Sequence, residues 1–252
     1  MSLMNLYNKD RILAGKDTWP WYLLAFQAGA INSAGYLACH RFVSHVTGFG
    51  TRIGIELGTQ NHLMALEMSF KFLFFLIGAL IVGLIFYQLK RTKEEKFFIS
   101  MSLLTFILLT IYVLGEIGLF GVFGEPLLLQ RDIALLCTLC FACGIQNGAT
   151  SIISSGLMRT THMTGLTTDL GTGIAKVIAE KDKMELRLVK VRFNLIAYFT
   201  IGAMLSALYS SKLEFKTFLI PMISSTIILG FALKKISKSK LQYKGNEFES
   251  LA

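Results

Sequence analysis

The sequence has little charge and little proline. Only 16% of its 252 residues are charged and three are proline, whereas 53% are hydrophobic. Because about a quarter of the residues in a soluble domain are charged, this composition argues against a soluble enzyme. The 20 phenylalanines and 10 methionines are typical of helices that face lipid. We therefore predict an all-α polytopic membrane protein.

The sequence also lacks a nucleotide-binding loop, a zinc-protease motif and a nucleophile elbow. It thus gives no positive signal for an enzyme, and we expect no catalytic residue, no metal site and no cofactor. The net charge is +9, but Lys and Arg lie in short runs between apolar stretches. This is the positive-inside pattern, so we expect a lipid bilayer, and not nucleic acid, as the partner. No signal peptide is recognisable, and we expect the N-terminus to be retained.

Six apolar stretches are long enough to cross about 30 Å of hydrocarbon, which takes roughly 20 helical residues. They run approximately over Trp19–Cys39, Leu66–Leu89, Phe97–Phe120, Leu127–Ile153, Val191–Tyr209 and Phe215–Leu233. Two segments rich in Gly and Thr, His45–Gly58 and His162–Ala179, lie between the first two spans and between the fourth and fifth. They are too polar for ordinary spans, and we predict that they are re-entrant or broken half-helices.

The two polar segments repeat one another. His45-Val-Thr-Gly48 matches His162-Met-Thr-Gly165, 117 residues later, and the stretches on either side match as well. These flanking matches are Gly29-Ala-Ile-Asn32 with Gly144-Ile-Gln-Asn147, and Phe75-Leu-Ile-Gly78 with Phe199-Thr-Ile-Gly202. Three matches in the same order indicate a duplication. We predict one membrane domain over 1–252, with repeat one at about 19–122, repeat two at about 127–234 and a basic tail at 235–252.

Positive charge changes sides between the two copies. The turn at 90–96 in the first copy is basic, and its counterpart at 212–216 in the second copy is not. Conversely, the stretch at 181–192 in the second copy is basic, and its counterpart before the second span is not. Inverted repeats with three crossings each show this swap. We therefore predict six crossings in two inverted repeats, with both termini and the tail in the cytoplasm.

These residues resemble the YoaK family of uncharacterised bacterial integral membrane proteins. The resemblance covers most of the chain and rests on Gly29–Gly35, Phe42–Gly48, Gly144–Asn147, Thr160–Gly165 and Thr168–Gly171. In the family pattern an acidic residue is common where Asn32 stands, and Asn often stands at the position of Phe49. The resemblance implies a multi-pass protein of the bacterial plasma (inner) membrane and brings no established substrate.

Polar groups at membrane depth must find partners or water, because an unpaired polar group in hydrocarbon costs several kcal/mol. The polar residues of the two repeated segments and their neighbours are therefore candidates for binding a solute or lining its pathway. They are His45, Thr47, Gly48, Thr51, Arg52, His162, Thr164, Gly165, Thr168, Asp169, Asn32, Gln146 and Asn147. The N-terminus of a half-helix favours an anionic or carbonyl-bearing solute. The plainer interpretation is that Thr and Gly allow tight packing and bond to their own helix.

Two matched pairs leave alternatives open. Arg52 and Asp169 occupy the same motif position with opposite charge. They either form an ion pair or face a substrate near the pseudo-two-fold axis, or they lie solvated at the aqueous ends of their segments. His45 and His162 are an acid–base pair in one interpretation and hydrogen-bonded caps in the simpler one, which we favour.

Other polar or sulfur-containing patterns have structural explanations. Cys137, Cys140 and Cys143 lie in mid-span, spread around a helix with no fourth ligand at metal spacing, and we predict that they are small packing residues. Glu67 and Lys71, four residues apart, are predicted to form a helix-end ion pair at the membrane surface.

The predicted function is that of a transporter or facilitator for a small polar solute, with a pathway lined by the two His-x-Thr-Gly segments. A passive channel is the nearer alternative, because segments that enter from opposite faces are also typical of channels. A membrane-embedded enzyme or sensor is the alternative from a different class. The sequence leaves a homo-oligomer open.

Overall fold

The computed structural model describes residues 18–125, 130–156, 158 and 160–249, and gives the backbone alone at 130–132 and 238–249. These residues form eight α-helices and one short 3-10 helix, with no strand among them. The helices are α1 (Trp19–Cys39), α2 (Val46–Gly58), α3 (His62–Gln88), α4 (Lys93–Glu116), α5 (Gln130–Ile153), α6 (Met163–Glu180), α7 (Lys183–Leu213) and α8 (Leu219–Glu249). The 3-10 helix, Glu214–Phe218, connects α7 to α8.

Four stretches of these helices are long and apolar enough to cross a membrane. They are α3, α4, Ile133–Ile153 in α5, and Lys183–Ser237, which takes in both α7 and the first part of α8. The predicted all-α chain with several membrane-length helices is confirmed. Helix α1 coincides with the predicted first span but is not among the four stretches, and its Gln27 and Asn32 lower its hydropathy. Six crossings therefore remain a prediction.

Helices α1 and α7 run parallel in close contact. A Cβ atom added to Gly29 would overlap the carbonyl oxygen of Phe199, and one added to Gly202 would overlap that of Phe26. Farther along the pair, the Ser206 hydroxyl donates to the backbone carbonyl of Ala30 at 3.1 Å. The absence of a side chain at the two glycines lets the two backbones approach this closely.

Helices α3 and α5 make the same contact in the other half of the fold. A Cβ atom at Gly78 would overlap the carbonyl oxygen of Phe141, and one at Gly144 would overlap that of Phe75. Both glycines are the repeat counterparts of those between α1 and α7. Each close contact joins one helix of the first copy to one of the second, so the two copies interlock.

The counterpart helices α1 and α5 run antiparallel. The Gln146 amide on α5 donates to the carbonyl of Leu24 near the start of α1 at 2.7 Å. Gly35, near the end of α1, faces Leu139 in an earlier turn of α5. Counterpart helices must point in opposite directions in an inverted repeat, whereas in a parallel repeat they point the same way.

These directions place the basic turns on one face of the fold. The start of α1, the end of α3 and the start of α7 lie together there, with the turns at 90–96 and 181–192. The part of α8 around Phe231 and Lys235 lies there too, because the Trp19 ring packs against Phe231 at 4.8 Å and the Lys235 ammonium lies 5.4 Å from the same ring. The orientation of this face in the membrane remains a prediction from the positive-inside bias.

The outer surfaces of α3 and α4 are apolar. Leu80 is 55% exposed and Phe106 is 66% exposed, as suits side chains that contact lipid. By contrast, Cys137, Cys140 and Cys143 are free thiols buried in α5, as the packing interpretation predicts.

The glycine contacts yield a stability prediction with a control on the same helix. Gly78→Ala forces a Cβ atom against the Phe141 carbonyl, and overpacking of this kind costs roughly 1–3 kcal/mol. Gly83→Ala meets no atom within 4 Å, and alanine is the better helix former. We expect a lower thermal unfolding midpoint in detergent for Gly78→Ala only. Equal midpoints for the two variants would contradict the close contact.

Candidate functional site

The two repeated segments form α2 and α6, and each helix begins directly after its histidine. His45 has φ −88° and ψ 66°, and His162 has φ −92° and ψ 67°, so the two chains enter their helices with the same backbone geometry. The helices have 13 and 18 residues, which correspond to about 20 Å and about 27 Å, less than a full crossing. Neither histidine side chain forms a capping hydrogen bond. The expectation of hydrogen-bonded caps is therefore wrong, although both residues occupy the N-cap position.

The matched asparagines hold the chain just before each helix start. The Ser44 hydroxyl donates to Oδ1 of Asn32 at 3.0 Å, and the Thr161 hydroxyl donates to Oδ1 of Asn147. Each hydroxyl residue immediately precedes the N-cap histidine. These two equivalent bonds join α1 and α5 to the segments that lead into the half-helices.

A cavity of about 510 Å³, the central cavity, lies where the two half-helices begin. Its lining consists almost entirely of counterpart pairs from the two copies. They are Asn32 and Asn147, Ser44 and Thr161, His45 and His162, Val46 and Met163, Thr47 and Thr164, and Phe75 and Phe199, with Phe42 in addition. No charged side chain is among these lining residues. The free N–H groups and positive dipole ends of both half-helices lie at this cavity.

A second cavity, of about 320 Å³, adjoins the central one and contains cationic side chains. Arg41, Arg52 and Lys71 line it, and it shares Phe42 and His45 with the central cavity. We call it the cationic cavity. The remaining lining residues are Gly48, Phe49, Met64 and Met68.

A third cavity, of about 340 Å³, adjoins the central one on the side of α5. It shares Phe75, Asn147 and His162 with the central cavity and is otherwise lined by Ala79, Gly148 and Ser151. We call it the neutral cavity, because no charged side chain lines it. The three cavities form a row, with His45 at one boundary of the central cavity and His162 at the other.

The His45 ring folds back over the first turn of α2. A Cβ atom at Gly48 would overlap this ring, so glycine leaves the space that the ring occupies. The Phe42 ring meets it edge to face, with ring centroids 6.0 Å apart. Phe42, Gly48 and His45 therefore form one packed unit at the boundary between the central and cationic cavities.

The predicted residues divide into three groups. Six line the central cavity: Asn32, His45, Thr47, Asn147, His162 and Thr164. Gly48 and Arg52 line the cationic cavity with His45. The remaining five, Thr51, Gly165, Thr168, Asp169 and Gln146, line none of these three cavities. Thr51 and Thr168 instead bond to carbonyls one turn earlier in their own helices, as the plainer interpretation predicts.

Of the alternatives for Arg52 and Asp169, the structure contradicts the ion pair. The Arg52 Nε lies 2.5 Å from Oε1 of Glu56, one turn along the same helix. Asp169 is exposed on α6, where its backbone carbonyl accepts a hydrogen bond from Arg192. Because Glu56 lies four residues farther along the same helix, Arg52 can pair with it without approaching Asp169 across the pseudo-two-fold axis.

The predicted ion pair between Glu67 and Lys71 is confirmed, but its place is not the surface. The Lys71 Nζ lies 2.5 Å from Oε1 of Glu67 and 3.4 Å from the sulfur of Met68. The Lys71 side chain is only 1% exposed, because it points into the fold and lines the cationic cavity.

Several lining residues escaped the sequence prediction. Phe75 and Phe199 were recognised only as parts of the repeat, although their matched positions were a signal. Ser44 and Thr161 precede the matched histidines and could have been found in the same way. No pattern in the sequence singles out Arg41, because its position at the cationic cavity depends on where the chain turns after α1.

The sequence profile of the family described as "Protein of unknown function (DUF1275)" matches residues 21–231, and the chain belongs to this family. This match confirms the prediction that the chain belongs to an uncharacterised family. It does not confirm the family name YoaK. No curated protein and no solved structure matches the chain.

The bond between Ser44 and Asn32 yields a prediction about how α2 is held. Asn32→Leu leaves the Ser44 hydroxyl without its acceptor, and we expect a loss of roughly 0.5–1.5 kcal/mol in stability. Asn32→Asp keeps an acceptor oxygen and should lose less. Thermal unfolding of both variants in detergent measures the difference.

A double-mutant cycle provides the control for that prediction. In a Ser44→Ala background the hydroxyl is gone, so Asn32→Leu should have a smaller effect than it has in the unaltered chain. Strictly additive shifts in the unfolding midpoint would show that the bond does not hold the segment.

Proposed function

We propose that this protein is a membrane transporter or facilitator for a small polar solute, with a path through the cationic, central and neutral cavities. The observation that carries this proposal is the lining of the central cavity, which six counterpart pairs from the two copies supply. The lining also includes hydroxyl and amide side chains from both copies, which a gap left by apolar packing would not need.

The proposed architecture is a six-crossing inverted repeat with α2 and α6 as half-helices that enter from opposite faces. The antiparallel pair α1 and α5 supports this arrangement, as do the two parallel contacts between the copies. With the basic face in the cytoplasm, both termini are cytoplasmic and α2 enters from outside. Inverted-repeat transporters place their solute sites where such discontinuous helices begin, near the centre of the membrane.

The central cavity offers a polar solute replacements for its lost water. The side chains of Asn147, Thr47 and Thr164 supply donors and acceptors, and the half-helix starts supply free N–H groups. Phe75 and Phe199 add apolar surface against which a solute can pack. Cavities of 300–1,000 Å³ hold molecules up to about drug size, so the solute is small.

The two histidines lie at the boundaries between the cavities of the proposed path. His45 lies between the cationic and central cavities, and His162 lies between the central and neutral cavities. A change of rotamer at either residue would open or close one boundary. A transporter moves the two in alternation, whereas a passive channel leaves both open at once.

Flux measurements test this proposal. Purified protein in liposomes should raise the rate of osmotic swelling in at least one of urea, glycerol, alanine and potassium formate with valinomycin, relative to protein-free liposomes. Saturation with solute concentration indicates a transporter, and a linear dependence indicates a channel.

Two tryptophan substitutions on α6 provide the site test. Thr164→Trp fills part of the central cavity and should reduce the flux to near the protein-free rate. Thr172→Trp places the same bulk at an exposed position two turns farther along and should leave the flux intact. Equal flux in the two variants, or no flux in any solute with folded protein present, would contradict the proposed path.

A further inference from the structure

We infer that the solute is a small monovalent oxyanion, such as a carboxylate, which the cationic cavity collects and delivers to the central cavity beside His45. This inference rests on the proposed function and assigns its substrate class. It follows from the charge of the lining, from the partners of that charge and from the order of the cavities.

The charge that lines the cationic cavity is of one sign. Arg41, Arg52 and Lys71 line it, and no carboxylate is among its lining residues. Arg41 is exposed, and within the described part of the chain its guanidinium bonds only to the His40 carbonyl. It is therefore available to a solute.

The other two cations have carboxylate partners that lie behind them. Glu56 pairs with Arg52 and Glu67 pairs with Lys71, both at 2.5 Å, and neither carboxylate lines the cavity. Three cations and two carboxylates leave one uncompensated positive charge. A single negative charge on the solute balances it, which favours a monovalent anion.

The next step along the row also favours an anion. The central cavity has no charged side chain, but both half-helices direct their positive ends to it. A cation there would meet two partial positive charges and no carboxylate, whereas an oxyanion can accept hydrogen bonds from free N–H groups, Thr47 and Thr164.

The far end of the row has no fixed charge to retain the anion. The neutral cavity is lined by Phe75, Ala79, Asn147, Gly148, Ser151 and His162. An anion attracted at one end and weakly held at the other can leave, which transport requires. The cationic cavity thus sets the entry selectivity, and its effect should weaken as salt screens it.

Stopped-flow swelling of proteoliposomes tests the anion class directly. The probes are the potassium salts of formate, acetate and nitrate, each with valinomycin so that potassium does not limit the flux, with urea and glycerol as neutral probes. We expect the oxyanions to permeate faster than the neutral probes. Arg41→Gln should reduce oxyanion flux by roughly threefold to tenfold at low ionic strength, and by less at high salt.

Matched variants separate charge from folding. Lys71→Gln with Glu67→Gln removes the buried cation together with its partner, so the one uncompensated charge is kept, and it should slow the oxyanions less than Arg41→Gln does. Lys216→Gln removes an exposed cation that pairs with Glu116 and lines none of the three cavities, so it should have no effect.

Each outcome separates the two claims. Flux of urea or glycerol without oxyanion flux overturns the anion inference and leaves the transport proposal standing. Oxyanion flux that Arg41→Gln and Lys216→Gln change equally also overturns the role of the cationic cavity. No flux of any probe above protein-free liposomes overturns both claims.

Discussion

The close contact of glycines with facing backbone carbonyls is the constraint on which the rest of this fold depends. Gly29 and Gly202 join α1 to α7, and Gly78 and Gly144 join α3 to α5. Each contact takes one helix from each copy, so neither copy can bury its interior alone. Helix association in a membrane gains nothing from the hydrophobic effect, and close backbone packing supplies the missing stabilisation. This interlock brings the starts of the two half-helices together around one cavity.

The repeat in the sequence was sufficient to predict much of this arrangement. The apolar stretch over Trp19–Cys39 predicts the bounds of α1, and the matched motifs predict that α2 and α6 begin at equivalent positions after His45 and His162. The matched asparagines are at the cavity as well. A duplicated motif predicts equivalent positions, and equivalent residues meet only where they lie close to the axis that relates the two copies.

The sequence could not predict which face of a half-helix meets the cavity, or where a charge finds its partner. Thr51 and Thr168 match one another in the repeat as clearly as Thr47 and Thr164 do. They lie one turn farther along α2 and α6, however, and their hydroxyls bond to carbonyls of their own helices. Arg52 matched Asp169 in the motif, but Glu56 at i+4 was the nearer partner. Lys71 is buried because α2 packs against α3, and this packing cannot be predicted from the residues near Lys71 in the sequence.

The fold combines a symmetric centre with asymmetric ends. Buried Leu195 occupies the position in α7 that corresponds to Lys71, so the cavity of about 340 Å³ between α6 and α7 lacks a counterpart of that buried cation, although Lys190 lines it. In the proposed path, a symmetric site would bind the same solute from either side, and the unequal ends would give the path an entrance with its own selectivity.

The central claim is that the cavity between the two histidines is a water-accessible path. The most direct measurement replaces the four native cysteines, places single cysteines at Thr47→Cys and Thr164→Cys, and records their reaction with impermeant thiol reagents in intact membranes. The account predicts that both positions react from the aqueous phase, and that the anionic reagent reacts faster than the cationic one. If neither position reacts in the folded protein, the centre is dry and packed, and the account is contradicted.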